Sequence, residues 1–193
     1  MKILLIVDMQ NDFIDGSLGT KEAQAIVPKV VEKIKDWDGD EIWVTLDTHW
    51  ADYLQTKEGH YLPIEHCIYG TRNHNLHKDV LKAISKKQKE KGIRILYFHK
   101  KTFGSIELSE NLERTFYLDV EQRKVTIECC GLCTDICVIS NILLMKAFAP
   151  EVTFICDASC CAGSTPENHK AALQVMKSCH VEVINDYDEF KLD

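Results

Sequence analysis

The sequence has no long apolar run. Its hydrophobic stretches, ILLIV among them, end after a few residues, well short of the ~20 needed to cross a bilayer. It also lacks any long Lys/Arg run, and a formal net charge of −7 spread along 193 residues offers nothing that would follow a phosphate backbone or an anionic membrane. Nucleic acid and membranes are therefore poor partners. There is no internal repeat, no low-complexity tract and no Pro/Gly/Ser-rich linker to mark a boundary, so one domain over residues 1–193 is expected. The N-terminus enters MKILLIVDMQ without a longer apolar region or a small-residue cleavage site, and the expected compartment is the cytoplasm.

Cysteine, by contrast, is abundant. Nine are present, an odd number, and the pairs Cys129/Cys130 and Cys160/Cys161 do not look like a secreted disulfide framework. Reduced thiols used mostly as small buried hydrophobes are the simpler reading. The pair Cys130 and Cys133 has CxxC spacing, but it follows a fourth strand and has no compatible second pair, which argues against thioredoxin-like chemistry or an iron–sulfur site.

Six β-rich runs recur: ILLIV (3–7), EIWVTL (41–46), IRILYF (93–98), KVTIE (124–128), VTFIC (152–156) and VEVI (181–184). Between them apolar residues return at three- and four-residue steps over roughly 22–37, 76–91, 106–116, 135–148 and 167–178, which predicts helices. Pro166, after Ser164 and Thr165, suits a first helical turn. Alternation of this kind, with strands apolar on both faces, predicts a three-layer α/β/α fold around a mainly parallel, doubly wound six-stranded sheet. A ligand then binds beyond the carboxyl ends of the strands, near the point where strand order reverses. The segment 47–75, rich in His, Gly, Tyr and Asn, is too long for a plain connection and is expected to be functional.

The strand ends give a short list: Asp8, Asp47, Lys100, the run CCGLCTDIC, and Asp157. Any one of these is ordinarily a polar residue closing a strand. A nucleophile, a carboxylate and an amine at three such ends are harder to dismiss. In GLCTDICV, Cys133 precedes a predicted helix and Cys137 lies in its first turns, where free N–H groups and the helix dipole favour a thiolate. Such N–H groups can also hold an oxyanion, worth on the order of 3 kcal/mol per donor. Asp8 offers a base and Lys100 a positive charge.

Taken in order, IVDMQNDF, LDTHW, LPIEHCIYGT, FHKKTFGS and GLCTDICV resemble the isochorismatase-like cysteine hydrolases, and within them the nicotinamidases. The likeness runs through CDASCCAGSTPENHKAAL and covers essentially the whole chain. It implies Asp8 as acid/base, Lys100 as catalytic lysine and Cys137 as nucleophile, with the backbone of Cys133 and Cys137 as oxyanion hole and a cis peptide between Leu132 and Cys133. Lys100 is preferred to Lys101 because the family pattern of lysine, two residues and an aromatic fits Phe103.

Asp47, His49 and His66 supply a carboxylate and two imidazoles, a set suited to a divalent ion, zinc first, iron or manganese next. The resemblance makes them the metal site, with Glu58 a fourth ligand and His60 its competitor, which spacing does not separate. Isochorismatases lack this triad, so the implied activity is hydrolysis of a small amide, nicotinamide foremost, in pyridine nucleotide salvage. Other readings are a hydrolase of a carbamoyl or ureido compound, an isochorismatase, and lastly a non-catalytic binding protein. Phe13 and Trp50 are candidates to pack on the substrate ring. After IYGT the chain reads RNHNL, where nicotinamidases often place a glycine. A homo-oligomer is implied by the resemblance alone.

Overall fold

The computed structural model describes residues 1–186. Its six strands are β1 (Lys2–Val7), β2 (Glu41–Asp47), β3 (Arg94–Lys100), β4 (Thr126–Leu132), β5 (Thr153–Ala162) and β6 (Glu182–Ile184). The helices are α1 (Asn11–Ile14), α2 (Lys21–Asp36), α3 (Lys57–Tyr61), α4 (Lys78–Lys91), α5 (Ile106–Thr115), α6 (Asp119–Gln122), α7 (Ile139–Phe148) and α8 (Pro166–Ser178). All the predicted strands and long helices form. The boundaries shift most at β5, which runs on through CDASCCA to Ala162.

Every pairing in the sheet is parallel, in the order β3-β2-β1-β4-β5-β6. The chain steps outward from β1 to β3, returns to β4 on the other side of β1, and steps outward again to β6. Because parallel crossovers are right-handed, this reversal puts α2 and α4 on one face and α5, α7 and α8 on the other. Packing agrees: α2 lies against α4, and α5 against α7. Strands so sandwiched must be apolar on both faces. Ile3 to Val7 of β1 and all of β2 are buried, at about 1.5–3 kcal/mol for each large aliphatic side chain taken from water.

Local chemistry sets the helix ends. Thr20, Ser105 and Thr165 accept backbone N–H bonds at the starts of α2, α5 and α8, Pro166 opens α8 as expected, and Gly92 closes α4 in the left-handed conformation. The nine cysteines are free and mostly buried. Among the described residues no helix is long and apolar enough to cross a membrane.

The strand order reverses between β1 and β4, and there the backbones come close. Gly131 has φ of +126°, and a Cβ on it would lie 2.1 Å from the carbonyl oxygen of Val7. Immediately beyond that contact the two strands end in Asp8 and Cys133, at the mouth of the crevice.

Candidate active site

Asp8 follows β1 directly, in the left-handed region at φ 47°, which Asp tolerates better than most residues. It is completely buried. Thr45 of β2 donates its hydroxyl to Asp8 Oδ1 at 2.7 Å, and Lys100 Nζ stands 2.7 Å from Oδ2. Register brings the lysine there, because β2 and β3 pair Asp47 with Lys100. The same ammonium lies 3.2 Å from Asp47 Oδ1 and donates to Cys137 Sγ at 3.4 Å. One buried cation therefore touches both carboxylates and the sulfur.

Cys137 sits in a π-helical turn, Thr134–Val138, that leads into α7 after the Leu132–Cys133 cis peptide. Asn141 fastens this turn. Its Nδ2 donates to the carbonyls of Cys137 (2.7 Å) and Phe103 (3.0 Å), and its Oδ1 accepts from Ser105 N (2.9 Å). The nucleophile's turn is thus tied to the loop that follows Lys100.

Electrostatics separate the groups. Burial, followed by the neighbouring Asp8 charge, pushes the Cys137 thiol well above its ordinary value although Lys100 opposes the shift. The thiolate expected from the helix start is therefore not the resting form: desolvation outweighs the dipole, and the proton stays on sulfur until a base removes it. Burial also raises Asp8, more than Lys100 lowers it. For Lys100 burial would favour the neutral amine, but the Asp8 and Asp47 carboxylates keep it charged. Asp47, which burial alone would raise, is held well below the usual carboxylate range by His49, His66 and Lys100.

The second cluster begins where the first ends. Ligand atoms of Asp47, His49 and His66 all lie within 4.8 Å of one another. The two Nε2 atoms stand 3.0 Å (His49) and 3.5 Å (His66) from Asp47 Oδ2, and 3.7 and 4.0 Å from Glu58 Oε1. Glu58 is therefore the residue beside this cluster, while His60 packs its ring on Tyr61. His66 Nδ1 faces the carbonyl oxygen of Ile64 at 2.9 Å, so it carries the hydrogen and leaves Nε2 with a lone pair. His49 Nε2 is buried without a well-directed hydrogen bond. Two imidazole nitrogens and the Asp47 carboxylate gathered at one buried spot, with Glu58 beside them, fit a divalent cation of the zinc, iron or manganese kind.

Cys137 of the first cluster and Asp47, Glu58 and His66 of the second line one cavity of about 370 Å³, within the usual size range for small-molecule sites. Asp47, Glu58, His66, Cys133 and Cys137 form its polar part, and Phe13, Leu18, Leu62, Phe103 and Ile136 much of its apolar wall. Phe13 packs on His66 with ring centroids 5.6 Å apart. Trp50 lies elsewhere. It is half-exposed, rests on Tyr69 at 4.8 Å, and does not line this cavity. Asp157, a strand-end candidate in the sequence, is mid-strand in the extended β5 and binds Lys33 of α2 instead.

Sequence reasoning passed over Thr45, Asn141 and the wall residues Leu18, Leu62 and Ile136. Thr45 sits inside a strand run and Asn141 inside a helix, where a single polar residue carries no signal of its own. Gln10 and Asp12 belong to the DMQNDF motif, whose alternation could have revealed them.

Comparison with known proteins identifies the family and the fold. A family model described as the isochorismatase domain matches residues 2–186. Among solved structures, a pyrazinamidase/nicotinamidase of Streptococcus mutans is 26% identical, covers 95% of this chain and 100% of its own, and superposes with a TM-score of 0.78. The nicotinamidase/pyrazinamidase of Bacillus subtilis is 25% identical over 94% of this chain and 98% of its own, with a TM-score of 0.76. A pyrazinamidase of Pyrococcus horikoshii, solved in complex with zinc, has the same fold at 24% identity, 95% and 98% coverage and a TM-score of 0.70. No curated protein matches the chain.

Proposed function

The chain belongs to the isochorismatase family, and from that premise we propose that it is a single-domain cysteine amidohydrolase that converts nicotinamide to nicotinate and ammonia. The observation that carries this reading is Lys100, whose ammonium joins the Asp8–Cys137 pair to a carboxylate–imidazole cluster at the wall of one small, largely apolar cavity. A thiol and an acid suit acyl transfer from an amide. A nearby Lewis-acid centre suits a ring nitrogen, and a cleft built for vinyl ether cleavage has no evident use for it.

Asp8 takes the proton from Cys137 Sγ as the sulfur attacks the amide carbonyl carbon. The carbonyl oxygen gains the electron pair, and the backbone N–H groups of Cys133 and Cys137 serve as its donors. Collapse breaks the C–N bond, Asp8 returns its proton to the departing nitrogen, and ammonia leaves a thioester on Cys137. Water then attacks that thioester while giving a proton to Asp8. Loss of the sulfur releases nicotinic acid, which gives its proton to solvent to become nicotinate, and the proton on Asp8 restores the thiol. Lys100 stays charged throughout, favouring the ionised form of Asp8 that can accept a proton despite its burial. Asp47, His49, His66 and Glu58 would hold the divalent cation, which supplies a Lewis acid for the pyridine nitrogen when bound. Phe13 borders the ring position.

The deciding measurement is ammonia release from nicotinamide by purified protein, before and after chelation. Release that falls on chelation and returns with zinc supports the reading. Full activity in metal-free protein, or turnover of a carbamoyl or ureido compound in place of nicotinamide, overturns it. A cytoplasmic homo-oligomer working in pyridine nucleotide salvage is the setting that goes with this activity.

A further inference from the structure

The turn after β1 carries three buried polar side chains at alternate positions, Asp8, Gln10 and Asp12, and only the first belongs to the chemistry above. The other two reach the segments that bear the metal ligands. Gln10 is fully buried and grips the backbone of Asp47 on both sides. Its Oε1 accepts from Asp47 N, and its Nε2 donates to Asp47 O, each at 2.8 Å. The same Nε2 donates to His74 O, also at 2.8 Å.

Asp12 acts on the other ligand segment. Its Oδ2 accepts from Cys67 N at 2.7 Å, next in the chain to His66, and Cys67 sits in the left-handed region at φ 46°. The carbonyl of Cys67 in turn accepts from His49 N at 3.0 Å. A single residue, Cys67, therefore links the Asp12 carboxylate to the backbones that carry both imidazoles. Oδ1 of Asp12 accepts from Asn73 Nδ2 (2.9 Å) and from Ser17 N and Oγ (both 3.1 Å), so the carboxylate is held on every side.

We propose that Gln10 and Asp12 are positioning residues that pre-assemble the metal centre: Gln10 orients Asp47, and Asp12 orients His49 and His66 through Cys67. The inference rests on the reading that a divalent cation occupies this cluster. The ligands come from a strand end and from a separate loop that, among the described residues, has no strand partners beyond two isolated bridges, His49–Ile68 and Gln10–Leu76. Unfastened, that loop would have to be ordered each time the ion binds, and the lost conformational entropy would appear as weaker affinity.

The test is zinc affinity of metal-stripped, folded protein, measured by competition with a chromophoric chelator, together with the visible absorption of the cobalt(II)-substituted form. Asp12→Asn puts an amide donor against donors. Gln10→Met removes all three of its bonds at similar volume. Each is expected to weaken zinc binding about 10–100-fold and to alter the cobalt spectrum. Thr165→Ala, which removes the cap of α8 and no bond to the ligand-bearing segments, should lower the melting temperature with zinc affinity unchanged.

Zinc affinities of both variants within about twofold of the parent, or an equal loss in Thr165→Ala, overturn the inference. Should both variants fail to fold, Asn73→Ala takes one bond from Asp12 and should weaken zinc binding by a smaller factor. No change in that variant overturns the inference too. A parent protein that takes up no zinc overturns the metal-dependent reading itself, an outcome distinct from tight binding by parent and variants alike.

Discussion

The molecule sets two lysines between pairs of carboxylates, Lys100 buried and Lys33 partly so, and they have opposite uses. Lys100 lies between Asp8 and Asp47 at the crevice, and Lys33 of α2 lies between Glu128 and Asp157 against β4 and β5. The ionic composition is the same. Around Lys33 the acid is saturated: Asp157 Oδ2 is 2.6 Å from the ammonium, and Oδ1 accepts from Ser159 N (3.1 Å), Ser159 Oγ (2.8 Å) and Asn185 Nδ2 (3.1 Å). Burial would raise Asp157, but Lys33, Asn185 and Ser159 hold it below its ordinary value. Around Lys100, Asp8 has only Thr45, its lysine and a thiol for company, and burial wins. A buried ion cluster is structural when every acid oxygen is satisfied. It becomes reactive when one acid is left under-solvated beside a nucleophile and a cavity.

The strongest way to test this contrast is at sulfur. Cys137→Ala should reduce ammonia release by at least about 10⁴-fold with the fold retained, since it removes the nucleophile and only one weak Lys100 contact besides; appreciable residual turnover would discard the assignment. Next, Asp8→Asn should lower kcat by about 10²–10⁴-fold, the range for a lost general acid–base. A rate close to the parent would mean that the acid at this cluster is as passive as the one beside Lys33.

Acidification should separate the two clusters further. Asp8 is raised above 3.8, so its basic form disappears as pH falls through that raised value and the acid limb of kcat/KM lies above 3.8. The lowered Asp157 contributes stability that is present above the unfolded pKa of about 3.9 and is lost as pH falls through its folded value. Activity should therefore fail at a higher pH than folding does, in parallel rate and melting profiles. Coincident curves would erase the distinction. Smallest in its effect on rate is Lys33→Met. It should leave kcat near that of the parent while costing about 3–5 kcal/mol of stability in denaturant titrations, because Glu128 and Asp157 lose their buried partner.

How far the residues could be read from the text follows the same division. Asp8, Lys100 and Cys137 were visible because each ends or follows an apolar run in a βα alternation, and a doubly wound sheet gathers such ends. That rule also selected Asp157, and there it misled. An aspartate ordinarily stops a strand, but the small residues of CDASCCA let β5 continue, and a lysine from a helix distant in sequence made the buried charge tolerable. Spacing left Glu58 and His60 level. The fold of the 53–66 segment decided for Glu58, since α3 presents it to His49 and His66. The state of the Cys137 proton was illegible for a different reason. It depends on which of two opposed magnitudes is larger, and only the depth of burial tells.

Gly131 has a bearing on genetics. Any side chain there must displace the carbonyl of Val7, so the strands flanking the crevice could not keep their spacing. Every substitution at this codon should therefore score as null in a loss-of-function screen, although the residue offers no reactive group. Clustering of such alleles with those at Cys137 would mark a hinge of the framework, and should not be counted as a further participant in the reaction.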